Sequence, residues 1–471
     1  MSWLRSLLKS RIRPLIEQGE KALAALDADA AERAFTAALE RDPGSSAGWY
    51  GRARARTAQG RLDDALLDYD RLVAAAPTWA PGWFARAWTR WRTGALEGAE
   101  ADYTRGLELA PTEGYAWFQR ARVRERRGDL DGAIADYGRA LEATPDWVEA
   151  LLARGLLRRS RKDVTGALAD FDAAVARHGD RADVWYARGT LKRRVGDLAG
   201  AAADLAKASD LAPTWPAPLC ALGHARLEAG DAAAAVTAYT AALALDSERA
   251  DALYGRGTAR NALGDLDGAL ADFDVALSKD PGSAEDAYER GRTYLSKGRP
   301  GPAAAEFTRA AERDPLWAWP AIGLGDVAVG NGDYAAADAA YGRALALDAT
   351  LAEAYVNRAL VRIELGAFAS AALDLSIARE LGVATPALIA SRAVARRFAG
   401  DREGAVADWT EVLEADPGDA SALYGRGIAR LEAEDREGAY EDLVAFLSAV
   451  GEDDPDAAII RRVVDDLATP T

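Results

Sequence analysis

The sequence predicts an all-α chain, a solenoid of stacked helical hairpins, and three observations carry that prediction. Proline recurs on a fixed spacing: Pro43, Pro77, Pro111, Pro145, Pro213, Pro281, Pro315 and Pro417 are separated by multiples of 34 residues. Between these marks the apolar residues fall three and four apart in two runs, the spacing of helices that each bury one face. One small-residue position never varies: alanine stands every 34 residues from Ala31 to Ala439, where a methyl group lets two helices approach closely. A hairpin of this length cannot bury both apolar faces alone, so its repetition implies a stack.

The unit is clearest at 250–283, ADALYGRGTARNALGDLDGALADFDVALSKDPGS. Numbered from 1 to 34, it places apolar residues at 4, 5 and 8 and again at 20, 21, 24, 27 and 28. Gly264 at position 15 breaks the first helix, and Pro281 at position 32 ends the second because a prolyl ring clashes with the preceding turn. Thirteen copies run in phase over 12–453, more than nine tenths of the chain. Glycine holds position 15 in ten of them, from Gly60 to Gly400.

This pattern resembles the tetratricopeptide repeat family, whose unit has an aromatic or Leu at 4, small residues at 8 and 20, an aromatic at 24, Ala at 27 and Pro at 32. Pentatricopeptide repeats, which read RNA, have a unit one residue longer and fit the spacing less well. The resemblance implies a right-handed superhelix whose first helices line a concave groove. It further implies a non-enzymatic protein-protein interaction scaffold that holds a partner's segment in that groove. A second reading stays open, a scaffold or regulatory subunit of a larger enzyme complex that meets its partners through its ends or convex face.

Composition narrows the classes. A formal charge of −16 and a sequence pI of about 4.9 argue against a general nucleic-acid binder. The single Cys220 excludes an intramolecular disulfide and suits a reducing compartment. No apolar run approaches the roughly 20 residues needed to span a bilayer, so a soluble, cytoplasmic protein is expected.

Taken in order, residues 1–11 place Trp3, Leu4, Leu7 and Leu8 on one helical face and Arg5, Lys9 and Arg11 elsewhere. They read as an amphipathic cap over the open end of the stack, with contact to an anionic membrane as the lesser reading. The array follows over 12–453. Repeats 2 to 4 are rich in tryptophan (Trp49, Trp79, Trp83, Trp88, Trp91, Trp117 and Trp147), and those at positions 4 and 34 read as packing between units. Repeat 7 opens with Trp215-Pro216-Ala217-Pro218 and repeat 10 with Trp317-Ala318-Trp319-Pro320, and both are expected to be joints in the array. Repeat 9 has an unusual hinge at Gly298-Arg299-Pro300-Gly301-Pro302. Residues 454–471 continue the acidic stretch Glu452–Asp456 into a C-terminal cap helix with Ile459, Ile460, Val463, Val464 and Leu467 on one stripe. Charge is uneven: residues 1–215 hold 34 Lys/Arg and 31 Asp/Glu, against 24 and 43 in the remainder.

The most regular polar feature is Arg at position 7, present in ten copies, with an acid at position 23 in the same ten. Repeats 1, 7 and 10 lose both together, having Gln18, Leu222 and Leu324 opposite Ala34, Ala238 and Ala340. The shared loss predicts a bridge between the two helices of a hairpin, for which the guanidinium fork is well shaped. Arg at position 11 lies one turn on and is expected to share the carboxylate, although Arg226 has no acid at its own position 23.

Catalytic machinery is thin. His178 and His224 lie far apart, and Cys220 with His224 reads as ordinary helix surface rather than half of a metal site. Phosphate loops, nucleophile elbows and zinc-protease motifs are missing, so no catalytic residue, cofactor, metal or small-molecule substrate is assigned. The partner expected is a protein or peptide.

By the resemblance, positions 2, 5, 9, 12 and 13 face the groove. Repeat 3 there has Phe84, Trp88 and Trp91, a stripe at i, i+4 and i+7, joined by Arg92. Around it fall Tyr50 and Arg54 from repeat 2, Phe118, Arg122 and Arg126 from repeat 4, and Arg159, Arg193 and Arg194 beyond. Trp, Tyr and Arg dominate interface energetics, and this strip suits an acidic segment with aromatic or aliphatic anchors. Packing of Trp88 and Trp91 against a neighbouring helix is the structural alternative, and base stacking by a nucleic acid the disfavoured functional one.

Overall fold

The computed structural model describes residues 2–450 and 457–468, with side chains from residue 12 onward. Among the described residues there are 27 α-helices and no strands. The chain divides into an N-terminal unit, Met1–Ala229, and a C-terminal unit, Gly230–Thr471. Each is an all-α stack of hairpins made of a first helix (A) and a second (B), as in Ala250–Ala262 followed by Leu266–Lys279.

Local chemistry sets these boundaries. Helix A ends at position 15 with a residue of positive φ in every copy, between 61° at Leu26 and 91° at Gly400. Glycine takes that conformation without a Cβ penalty; Leu26, Lys162 and Glu434 adopt it as well. Helix B then opens on position 16, where nine aspartates accept a hydrogen bond from the backbone N–H three residues on, as Asp265 does from Gly268 at 3.0 Å. In repeat 9 the prolines fall in the first turn of Pro300–Arg313, where a missing N–H costs nothing.

Packing follows the small-residue pattern. Every alanine at position 20 is fully buried, and Phe35, Phe171, Phe273, Phe307 and Tyr341 at position 24 seat against the glycine at position 8 of the facing helix. A Cβ on Gly257 would lie 2.8 Å from the Phe273 ring, so glycine there makes room for the ring. Within each unit, helix B packs on the A helices before and after it, and several successive A helices also touch, such as those of repeats 3 and 4 and of repeats 9 and 10. The A helices therefore form the more closely spaced inner layer, which positions any groove on their outward-facing side chains.

The predicted bridge is present in all ten copies. In nine, Arg Nε and Nη2 grip the two Asp oxygens at 2.6–3.0 Å, as in Arg52–Asp68 and Arg392–Asp408. In the tenth, Arg290 Nη2 lies 2.8 Å from Glu306 Oε2. Position 11 shares the aspartate as expected, eight times by Arg, such as Arg260 to Asp272 at 2.8 Å, and once by Lys192 to Asp204 at 3.0 Å. Every bridging acid is buried. The sequence reading missed a third contact. In six copies the Arg at position 7 also donates Nη1 to position 25 of the preceding repeat, to Asp70, Asp172 and Asp274 or to Thr104, Thr240 and Thr410. One guanidinium thus ties the two helices of its own hairpin and the hairpin before it.

At the ends, one helix, Ser2–Ala24, carries the segment before Ile12 directly into helix A of repeat 1. The helix Ala457–Ala468 packs on the last hairpin through Ile460, Val463, Val464 and Leu467. Ile459, expected on the same stripe, is exposed, because it lies a full helical step to the side of Ile460. The acidic stretch Glu452–Asp456 lies outside the described residues. Cys220, expected at the surface, is buried: helix A of repeat 7, Pro216–Glu228, turns it inward with Ala221 and Leu222.

Candidate binding groove

On the inner layer of the N-terminal unit, the A helices of repeats 2 (Ser46–Ala58), 3 (Ala80–Arg92) and 4 (Gly114–Arg127) enclose a cleft of about 800 Å³. Tyr50, Phe84 and Trp88 form its walls, and Arg54 and Arg92 stand at its edge. The aromatic rings are braced from below: Tyr50 meets Trp79 edge-on with centroids 4.9 Å apart, and Phe84 stacks on Tyr103 at 6.3 Å. Tyr69 and Tyr103 close the floor, both held neutral by burial, which pushes the Tyr69 hydroxyl up to about 12. Arg92 lies over the Trp88 ring at 5.0 Å and Arg54 over Tyr50 at 5.3 Å, so each cation is laid along an aromatic wall. Arg54 also donates to Glu20 at 3.0 and 2.9 Å, which neutralises part of its charge.

Of the twelve residues expected from the sequence, Tyr50, Arg54, Phe84, Trp88 and Arg92 line this one cleft. Trp91 turns to the next A helix, where Arg122 covers its ring at 4.7 Å and Arg126 approaches at 5.9 Å. Both tryptophans are half-buried and pack against the same core cluster, but only Trp88 lines the cleft. Phe118 stacks on Trp147 with centroids 4.3 Å apart. Arg159, Arg193 and Arg194 do not line the cleft; Arg193 is paired with Glu228 of repeat 7. Leu23, Pro81, Tyr115 and Glu113 line it without having been expected. Leu23 is at position 12 of repeat 1, and Pro81 and Tyr115 are at position 2, so the same positional rule applied to every copy would have found those three.

Tryptophan at position 4 behaves differently from Trp88. In repeats 2, 3, 4 and 6 its indole N–H donates to the carbonyl at position 32 of the preceding repeat, as Trp49 does to Pro43 at 2.9 Å. The position-7 arginine covers the same ring at 4.6–5.0 Å. These rings fasten units together, as the sequence implied. Among the described residues no group of three or more His, Cys, Asp or Glu is placed to hold a metal ion, and no helix is long and apolar enough to cross a membrane.

Stacked hairpins of fixed length, locked by a repeating buried bridge and presenting side chains from one inner layer, define a helical-repeat scaffold for protein interaction. Family models described as tetratricopeptide repeat match residues 16–78, 114–147, 152–216, 220–284, 322–382 and 391–459, and the chain belongs to that family. Among curated proteins none matches. Solved structures similar to this chain include the APC/C hetero-tetramer Cut9-Hcn1, 15% identical over 99% of this chain and 98% of that one, with a TM-score of 0.39. Yeast Tom70 is 16% identical over 90% and 95% with a TM-score of 0.38, and Pseudomonas aeruginosa pilF is 18% identical over 46% and 97% with a TM-score of 0.41. Likenesses at this level leave the partner to be read from the groove itself.

Proposed function

We propose that the protein is a non-enzymatic scaffold whose N-terminal unit binds an acidic segment of a partner protein, seated by an aromatic or aliphatic anchor in the cleft of repeats 2 to 4. The observation that carries this reading is the pairing of an open aromatic cleft of about 800 Å³ with arginines laid on its walls. The anchor is desolvated between Tyr50, Phe84 and Trp88, and the flanking carboxylates meet Arg92 and the edge of Arg54. The test uses a labelled, end-capped peptide with the core Glu-Phe-Glu-Leu-Glu and the full-length chain. Trp88→Ala and Arg92→Ala are each expected to weaken binding about tenfold at a temperature where both variants are fully folded. A wild-type chain that ignores the peptide, or variants that bind it as well as wild type, would remove the cleft as the site.

A further inference from the structure

The C-terminal unit has an inner-layer trough of its own, with the opposite charge. A cleft of about 690 Å³ lies across the A helices of repeats 9 (Ala284–Ser296), 10 (Trp319–Gly330) and 11 (Ala352–Glu364). Its aromatic wall is Tyr254, Tyr288, Trp317 and Trp319, and its acids are Glu289, Asp326 and Glu353 against the single cation Arg292. Asp326 also lines a second cleft of about 520 Å³ that reaches Glu364, so the two adjoin at this residue. That length suits an extended chain rather than a lone amine.

We propose that this trough binds a basic segment of a partner protein, placing an arginine or lysine side chain between the aromatic wall and the carboxylates of Asp326 and Glu353. Three features support it. Glu289 is only 7% exposed and is paired with Arg292 at 3.0 Å, while Arg292 itself turns outward. Asp326 accepts a hydrogen bond from the neutral Tyr341 hydroxyl at 2.7 Å, and the cation that acts on it, Arg292, is already paired with Glu289. Burial raises both the Glu289 and the Asp326 carboxyls above the usual range, more than Arg292 offsets, so a second cation would relieve the cost of their charged forms. Arg292 already lies over the Tyr288 ring at 5.9 Å, so a guanidinium or ammonium entering over Trp319 gains that ring face and the carboxylates. The unit as a whole is acidic, with 23 Lys/Arg and 42 Asp/Glu in 230–471, which steers a basic segment toward it. The two troughs together would let one chain hold two partners of opposite charge.

The test is anisotropy of a labelled, end-capped peptide with the core Arg-Leu-Arg-Leu-Arg, on the full-length chain at about 150 mM salt to screen diffuse attraction. Asp326→Asn with Glu353→Gln is expected to weaken binding at least about tenfold. Ser296→Trp fills the exposed end of the cleft without changing charge and is expected to do the same. Glu403→Gln with Glu437→Gln removes equal charge from exposed B-helix positions of this unit and is expected to leave binding unchanged. The proposal is overturned if the wild-type chain does not bind the peptide, if the distant pair weakens it as much as the trough pair, or if Ser296→Trp has no effect. The acidic peptide of the N-terminal cleft should respond to none of these variants, which keeps the two sites separately testable.

Discussion

At position 23, a buried aspartate faces two cations, and that geometry decides which deletion hurts most. In repeat 8, Asp272 is gripped by Arg256 and also by Arg260 at 2.8 Å. Asp272→Ala therefore strands two guanidiniums in a largely buried seam, whereas Arg256→Leu leaves the acid with Arg260. We expect a loss of about 3 kcal/mol for the first and about 1–2 kcal/mol for the second. The double variant, which copies Leu222 and Ala238 of repeat 7, should cost less than the sum; additive losses in denaturant melts would reject the coupling. The existence of the bridge was legible because two positions lost their charges in the same copies. Its reach to position 25 of the preceding repeat was not, since Asp and Thr share that role and no single residue type marks it. Position 15 offers a second expectation. Lys162 holds φ at 63° where ten copies have glycine, so Lys162→Gly should stabilise by about 1 kcal/mol, read as a raised melting midpoint.

Helix starts show the same logic one level up. Helix B of repeat 3, Leu96–Leu109, opens on Ala95 with φ −78° and ψ 67° and no side-chain cap. Its counterpart in repeat 4 opens on Asp129 with φ −79° and ψ 74° and caps Gly132 at 3.0 Å. The backbone at Ala95 is already in the capping conformation, so Ala95→Asp should add about 1 kcal/mol; a lowered or unchanged midpoint would show that the free N–H groups are satisfied some other way. Helix boundaries were readable from glycine and proline because those residues act on their own backbone. Groove membership was only half readable. Trp88 and Trp91 are three residues apart on one helix and look equivalent in the sequence, yet Trp88 faces the cleft and Trp91 lies under Arg122. What separates them is the neighbouring helix, which the spacing within one helix does not report. Both pack on the same core cluster, so Trp91→Ala and Trp88→Ala should each cost about 1–2 kcal/mol of stability in denaturant melts, and only Trp88→Ala should also weaken binding in the cleft.

Along the whole chain the bridge is a ladder with three missing rungs, and two of them lie in the interior. Stability in a stacked array is a sum of units and their interfaces, so the copies without a rung should open first. Repeat 7 is one of them, and the boundary between the two compact units falls within it, at Ala229–Gly230. Repeat 10 is the other: Leu324 and Ala340 replace the ion pair, and a side-chain hydrogen bond from Tyr341 to Asp326 joins its helices instead. Hydrogen exchange is expected to be fastest at 216–249 and 318–351, the termini apart, and uniform protection across the central repeats would sink the idea. The cause can be tested by adding the rung back to repeat 10. Ala340 is 1% exposed, so Ala340→Asp alone buries a carboxylate with no arginine opposite and should speed exchange in 318–351 further. Adding Leu324→Arg supplies the fork at the same sixteen-residue separation that joins Arg358 to Asp374 in the next hairpin, at 2.7 and 2.8 Å. The double variant should then exchange more slowly than the wild-type chain over 318–351 and no differently at 216–249. If it exchanges as fast as Ala340→Asp alone, the missing bridge is not what makes repeat 10 weak, and its two tryptophans and Pro320 become the cause to pursue.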